Sequence, residues 1–339
     1  MSSTTSTPST TSTFSVQEML PYKVGALLYS PAINTAVADK LAAEAYPCLT
    51  SMAFCLEDSI MDCALPQAEE SLLSTLTDIE KKVPSEKRPL MFVRVRTPSH
   101  LRHMHELLGE KEGLLTGYIL PKFDSSNGGD YAEIITDLNR GRNEKLYFMP
   151  IIESRLAAQG LHRLEELHRI RSLLSTVQPY ILNVRVGGTD FSSIFGMRRP
   201  VDRTIYDLGV IRDILVDISS VFSADYVVSG PVWEYFDSDG MRGAWSDGLE
   251  NELCEDRLNG FTGKTAIHPS QLPVIYESMK VSAEDYRDAL EILGWDSKVS
   301  GVAKSADGGR MNEVKCHTRW ARKIKILGDI YGIREAVTV

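Results

Sequence analysis

From Lys23 onward, short runs of apolar and β-branched residues alternate with longer stretches whose apolar positions recur every three or four residues. The short runs are Val24–Ser30, Met52–Leu56, Leu90–Val95, Gly117–Pro121, Leu146–Ile152, Ile181–Val186, Asp225–Ser229 and Lys264–Ile267. They are continuous rather than alternating, as parallel strands covered on both faces should be. Between them lie amphipathic stretches such as Thr35–Tyr46, Gln67–Lys82, His100–Leu108, Ala132–Asn139, Leu161–Ser175, Tyr206–Val221 and Met241–Leu258. Each is long enough for a crossover helix. Eight strand–helix units over roughly 250 residues predict an α/β fold of the (β/α)₈ TIM-barrel type. A doubly wound open sheet is the alternative, but no G-x-G-x-x-G follows the first run. After the eighth unit, Ser282–Leu293 and Trp320–Tyr331 read as amphipathic helices flanking the polar, glycine-containing stretch Ser300–Gly309, with no further strand. The expected organisation is a barrel over residues 21–281 and a C-terminal helical arm over 282–339. The apolar face of the last helix must be buried, and a neighbouring subunit is the expected place.

Composition narrows the class without naming a function. The first 20 residues are dominated by Ser, Thr and Pro; they cannot build a core and are expected to be a disordered tail. That tail lacks the basic and apolar regions of a secretory signal. No apolar stretch approaches the ~20 residues of a transmembrane helix. The 339-residue chain has a net charge of −9 and a pI of about 5.4, which argues against nucleic-acid and anionic-membrane partners. The cysteine count is five, with no C-x-x-C pair, so zinc and a disulfide framework are poorly supported and a reducing cytoplasm is expected.

The chemistry gathers where the apolar runs stop. Glu153 ends the run from Leu146, and Asp190 follows Ile181-Leu-Asn-Val-Arg-Val-Gly-Gly-Thr189. In a parallel α/β fold, strand C-termini carry the active-site groups. Two hard oxygen ligands there suit Mg²⁺; the alternative is that each carboxylate caps the following helix. The adjacent acids Glu57 and Asp58 follow the second run, where they orient metal-bound water or backbone, or simply cap a turn. Arg94 and Arg96 share a face by alternation and suit a carboxylate, or else pair with Glu57 or Asp58. Lys122, at the end of the fourth run, contacts an anionic ligand or pairs with Glu153. The eighth unit supplies Gly263-Lys264 and His268-Pro269-Ser-Gln271. This is not a P-loop, because the spacing is wrong.

Together these segments resemble the citrate lyase β-subunit and malyl-CoA lyase family of Mg²⁺-dependent (β/α)₈ carbon–carbon lyases. Leu27-Leu-Tyr-Ser-Pro31 looks like the family's LLFVPG, Leu56-Glu-Asp-Ser59 its LEDAV, and Val93-Arg-Val-Arg96 its VRIN. Leu120-Pro-Lys122 matches LPK, Ile152-Glu153 looks like IET, Gly188-Thr-Asp190-Phe191 stands where the family has G-x-x-D-L, and Gly263 to Gln271 matches GK-x-AIHP-x-Q. The resemblance implies metal ligands at Glu153 and Asp190, with the acid pair Glu57 and Asp58 ordering metal-bound water. Arg94 would anchor the carboxylate of an oxo-acid or hydroxy-acid substrate, with Lys122, Gly188 and Thr189 also at the substrate. Lys264 and His268 are the candidate cofactor-binding residues. The run Gly309-Arg-Met-Asn-Glu313 stands where the family carries an acid into the neighbouring subunit's site, so Glu313 would be the proton carrier of a homotrimer or a multiple of one. Three departures stand out. Gly25-Ala26 replace a family Arg-Ser that helps hold CoA phosphates, Phe191 replaces a small aliphatic residue, and Glu313 replaces Asp. The expected activity is aldol-type cleavage or condensation, with or without a CoA thioester. The alternatives are thioester hydrolysis on the same site and a non-catalytic oxo-acid-binding barrel.

Overall fold

Each of the eight apolar runs forms a strand in the computed structural model, which describes residues 14–296, 300–306 and 308–334. The strands are β1 (Ala26–Pro31), β2 (Ser51–Cys55), β3 (Leu90–Arg94), β4 (Gly117–Leu120), β5 (Tyr147–Ile152), β6 (Val184–Val186), β7 (Val228–Ser229) and β8 (Lys264–Ala266). All pair in parallel in the order 7-6-5-4-3-2-1-8. A parallel bridge between Gly230 and Lys264 joins the two ends, closing a (β/α)₈ barrel. The chain divides into two compact units, residues 23–278 and a second made from the segments up to Tyr22 and from Met279 onward.

Within the barrel unit, the two-residue period of the strands sorts the side chains. Leu28, Phe54, Val93, Leu120, Phe148 and Val184 join the hydrophobic core under the surrounding helices. Their alternates Tyr29, Cys55, Arg94, Ile151, Arg185 and Thr265 line an interior cavity. The helix Leu65–Lys82 shows the complementary logic: Ala68, Leu72, Leu76 and Ile79 recur at helical spacing and are fully buried. Each large aliphatic side chain of this kind contributes about 1.5–3 kcal/mol.

The second unit corrects three expectations. The chain is not a structureless tail up to residue 20. A helix runs over Val16–Lys23, started by a reciprocal box in which the Ser15 N–H donates to Glu18 (2.9 Å) and the Glu18 N–H donates to Ser15 Oγ (3.2 Å). The expected tail over residues 1–13 lies outside the described residues. Beyond the barrel, strands do occur. Val302–Lys304 and Met311–Glu313 form an antiparallel hairpin, and Ile333–Arg334 pairs in parallel with Val281–Ser282. The helices Ala283–Leu293 and Val314–Tyr331 bury Ala289, Ile292 and Ala321 between them, with Trp320 and Ile324 packed alongside. The apolar face of the last helix is therefore covered by its own chain, and that face gives no argument for a neighbouring subunit.

Candidate active site

Glu153 follows the last residue of β5, at the lip of the barrel. It does not cap the helix Arg155–Ala158, because the Ser154 side chain accepts the Ala157 N–H instead. Its carboxylate is buried inside the cavity. Oε1 accepts the Lys122 backbone N–H at 2.9 Å and Arg94 Nη2 at 3.1 Å. Lys122 makes that bond from a left-handed backbone with φ of 50°, an uncommon state for a side-chain-bearing residue. Burial pushes the Glu153 carboxyl up to about 8; the Arg94 charge opposes this, and the neighbouring Asp190 and Glu57 reinforce it.

Asp190 lies in the first turn of the helix Gly188–Ile194, whose N-cap position is Gly187 and which has no side-chain cap. Asp190 faces the same cavity as Glu153. Gly187 makes their approach possible. A Cβ there would sit 2.2 Å from Glu153 Oε2 and 2.4 Å from Glu153 Cβ. Neither carboxylate is used as a helix cap.

Arg94, the last residue of β3, is held by three acids. Nη2 lies 2.8 Å from Glu57, 3.1 Å from Asp58 and 3.1 Å from Glu153. Burial works against its charge, but Glu153 and Glu57 hold the guanidinium above its ordinary pKa. The Lys122 ammonium pairs with Glu57 and Asp58 rather than with Glu153. Glu57 is raised by burial. Asp58 is lowered, because Glu57, Arg94 and Lys122 outweigh its own burial. Arg96 parts from Arg94 because the strand ends between them. Its guanidinium donates to the Leu56 and Ile60 carbonyls and pairs with Asp62.

The remaining expected site residues divide. Thr189 lines the cavity, of about 570 Å³, whereas Gly188 packs against Ile205 and Pro231. The cofactor-binding expectation for Lys264 is corrected. Its ammonium is fully buried, 2.9 Å from Glu252 and 2.6 Å from Asp256, at the start of β8. His268 stacks on Phe236 at 4.5 Å with Nδ1 2.9 Å from Ser270 Oγ, and it is not among the residues lining the cavity. Glu313 belongs to the second unit, where it ends the hairpin and precedes the helix Val314–Tyr331. Sequence reasoning missed Tyr29, Gly187, Arg185 and Thr265, all of which line the cavity. The two-residue period counted back from Glu153 and its register partners would have found Arg185 and Tyr29.

Residues 18–333 match the family described as C–C bond lyase of the TIM-barrel fold. The L-malyl-CoA/β-methylmalyl-CoA lyase of Cereibacter sphaeroides is 25% identical over 302 residues, 85% of this chain and 89% of that protein. The lyase of the same name from Rhodobacter capsulatus is 24% identical over 302 residues. Among solved structures, CitE of Mycobacterium tuberculosis in complex with magnesium, acetoacetate and coenzyme A superposes with a TM-score of 0.59 at 19% identity, covering 90% of this chain and 99% of that one. RipC from Yersinia pestis gives a TM-score of 0.53 at 18% identity, covering 79% and 100%. These two likenesses bear on the fold. The family match runs from the first described helix to the last strand pair and requires the barrel observed here, so the chain belongs to the TIM-barrel carbon–carbon bond lyases.

Proposed function

We propose that this protein is a Mg²⁺-dependent lyase that cleaves or forms a carbon–carbon bond in an oxo-acid or hydroxy-acid by aldol-type chemistry. The observation that carries the reading is the pairing of Glu153 and Asp190 on one cavity, with neither carboxylate used as a helix cap. They suit a hard divalent cation. Both Glu153 donors land on Oε1, and the repulsion from Asp190 that helps raise the Glu153 carboxyl is what a cation relieves. Among the described residues there is no cluster of three or more candidate ligands. Two carboxylates completed by water and substrate is the usual Mg²⁺ arrangement. When bound, the cation would polarise a substrate oxygen.

The chain's own groups do the rest. Arg94 anchors the substrate carboxylate. In support, its three acid contacts all use Nη2, and its buried Nε has no acceptor in the protein. Glu57 and Asp58 fix that guanidinium, and Lys122 pairs with both acids beside it. A CoA thioester substrate is supported by the two malyl-CoA lyases above. Glu313, delivered by a neighbouring copy, is the proposed proton carrier of a trimeric enzyme; Val302 and Met311 on its hairpin are exposed and apolar. A cytoplasmic location is supported by the odd cysteine count. Among the described residues no helix is long and apolar enough to cross a membrane.

The test is cleavage of malyl-CoA-type thioesters in Mg²⁺ or EDTA by wild type, Glu153→Gln and Asp190→Asn. Wild type should release the oxo-acid only with Mg²⁺. Each variant should lose roughly a hundredfold or more, with an unchanged circular dichroism spectrum. Release of free thiol without oxo-acid, or full activity in either variant, sinks the proposal.

A further inference from the structure

Four arginines are buried among the described residues: Arg94, Arg163, Arg185 and Arg199. Three have carboxylate partners. Arg94 has its three acids, Arg163 lies 2.8 Å from Asp217, and Arg199 lies 3.1 Å from Glu252. Arg185 is 1% exposed and has no carboxylate in contact. Its Nη2 donates to Thr265 Oγ1 at 2.7 Å. Its Nε and Nη1 are buried without any hydrogen-bond partner. The Tyr29 hydroxyl lies beside it, and burial pushes that phenol up to about 12. A neutral phenol leaves the guanidinium uncompensated.

Isolated buried charge is costly, and native proteins pair it. Arg185, Tyr29 and Thr265 all line the cavity that holds Glu153 and Asp190. Register sets the depth. Ile152 is level with Val186, so Arg185 lies two residues below the level of Glu153, roughly 7 Å along the strand. Arg94 is already compensated by Glu57, Asp58 and Glu153, whereas Arg185 is not. The Arg94 guanidinium lies over the Tyr29 ring, 5.8 Å from its centroid.

We propose that Arg185, with Tyr29 and Thr265, forms a second anion subsite deeper in the barrel than the Glu153–Asp190 pair, and that it takes a carboxylate, making the substrate a dianionic acid. The proposal rests on the reading of this cavity as the lyase site. A planar carboxylate matches two adjacent guanidinium donors, Nε and one Nη, better than a neutral group does. One end of the substrate then meets Arg94 and the metal ligands, and the other is read at the floor.

Malate and 2-hydroxybutyrate test this, because they differ only in a carboxylate against a methyl. Titration calorimetry on the full chain with Mg²⁺ should show wild type preferring malate by roughly tenfold or more. Arg185→Met should lose that preference while still binding 2-hydroxybutyrate. Thr265→Val, which removes the acceptor of Nη2, should reduce it. Arg185→Met also removes an unpaired buried charge, so its melting temperature without ligand should not fall below wild type. In EDTA, malate should raise the melting temperature of wild type but not of Arg185→Met. An undiminished malate preference in Arg185→Met, or none in wild type, overturns the subsite. Inorganic phosphate protecting wild type in EDTA where malate does not overturns the carboxylate assignment. Loss of Mg²⁺-dependent cleavage with the malate preference intact would count against the lyase reading alone.

Discussion

At the scale of single residues, the site turns on a side chain that is absent. Gly187 has φ of −93°, a conformation any residue adopts, so its need for glycine is steric. The nearest obstacles to a Cβ are Glu153 Oε2 at 2.2 Å and Glu153 Cβ at 2.4 Å. A flexible carboxylate tip can move, but a Cβ is fixed to the backbone of the residue after β5. Gly187→Ala must therefore displace Glu153 from its bonds to Lys122 and Arg94. Misplacement of a catalytic group by about 1 Å costs about a hundredfold. The expected outcome is a folded protein whose lyase activity falls by roughly that factor, with weaker Mg²⁺ affinity by calorimetry; wild-type kinetics would show that Glu153 is not held where the chemistry needs it. Glu153 and Asp190 were legible in the sequence because each is a charge standing just past the end of an apolar run. Arg185 was not, because it sits inside such a run, between Val184 and Val186, where a charge reads as noise. Only register shows that it faces the lumen.

At the scale of elements, β8 is tied to the helix Ala244–Leu258 by a buried ionic knot. Lys264 meets Glu252 and Asp256, Arg199 meets Glu252, and the Tyr206 hydroxyl donates to Asp256 at 2.7 Å. Burial raises the Asp256 carboxyl above its ordinary range, and Lys264 pulls it back. Lys264→Met would leave Asp256 without its cation, Arg199 remaining on Glu252, a loss of about 3–5 kcal/mol. Thermal denaturation should show a melting temperature roughly 10 °C lower. Rescue by Asp256→Asn in the same chain would identify uncompensated charge as the cause, whereas an unchanged melting temperature would mean the knot contributes nothing. The Gly263-Lys264 motif was visible in the sequence, but its role was not, since the acids that neutralise it lie 8 and 12 positions upstream on a helix. The eight barrel strands were legible because burial on both faces forces continuous apolar runs. The hairpin Val302–Lys304 with Met311–Glu313 was not: the first of these strands is exposed throughout, so no face imposes a pattern on its sequence.

At the scale of the whole molecule, the residues proposed for the chemistry fall in two compact units of the chain. Glu153 and Asp190 belong to residues 23–278, and Glu313 to the unit built from the chain's two ends. That second unit has its own core, closed by Phe14 beneath Arg322 and Lys325 and by the Tyr331 hydroxyl donating to the Tyr22 carbonyl. Its helices bury their own apolar face, so an assembly would have to be held by other surfaces, such as the exposed Val302 and Met311 beside Glu313. If each active site takes its metal ligands from one copy and its proton carrier from the next, two defects can complement. Glu313→Ala and Glu153→Gln should each be nearly inactive alone. Unfolded together in equal amounts and refolded, they should form about one quarter of sites with both intact groups, because each intact site needs the right copy in both places. Activity rising to about a quarter of wild type on mixing would support exchange between copies. Sedimentation of the active species as a monomer, or no recovery from a mixture shown to co-assemble, would place the proton carrier within the same copy or on another residue.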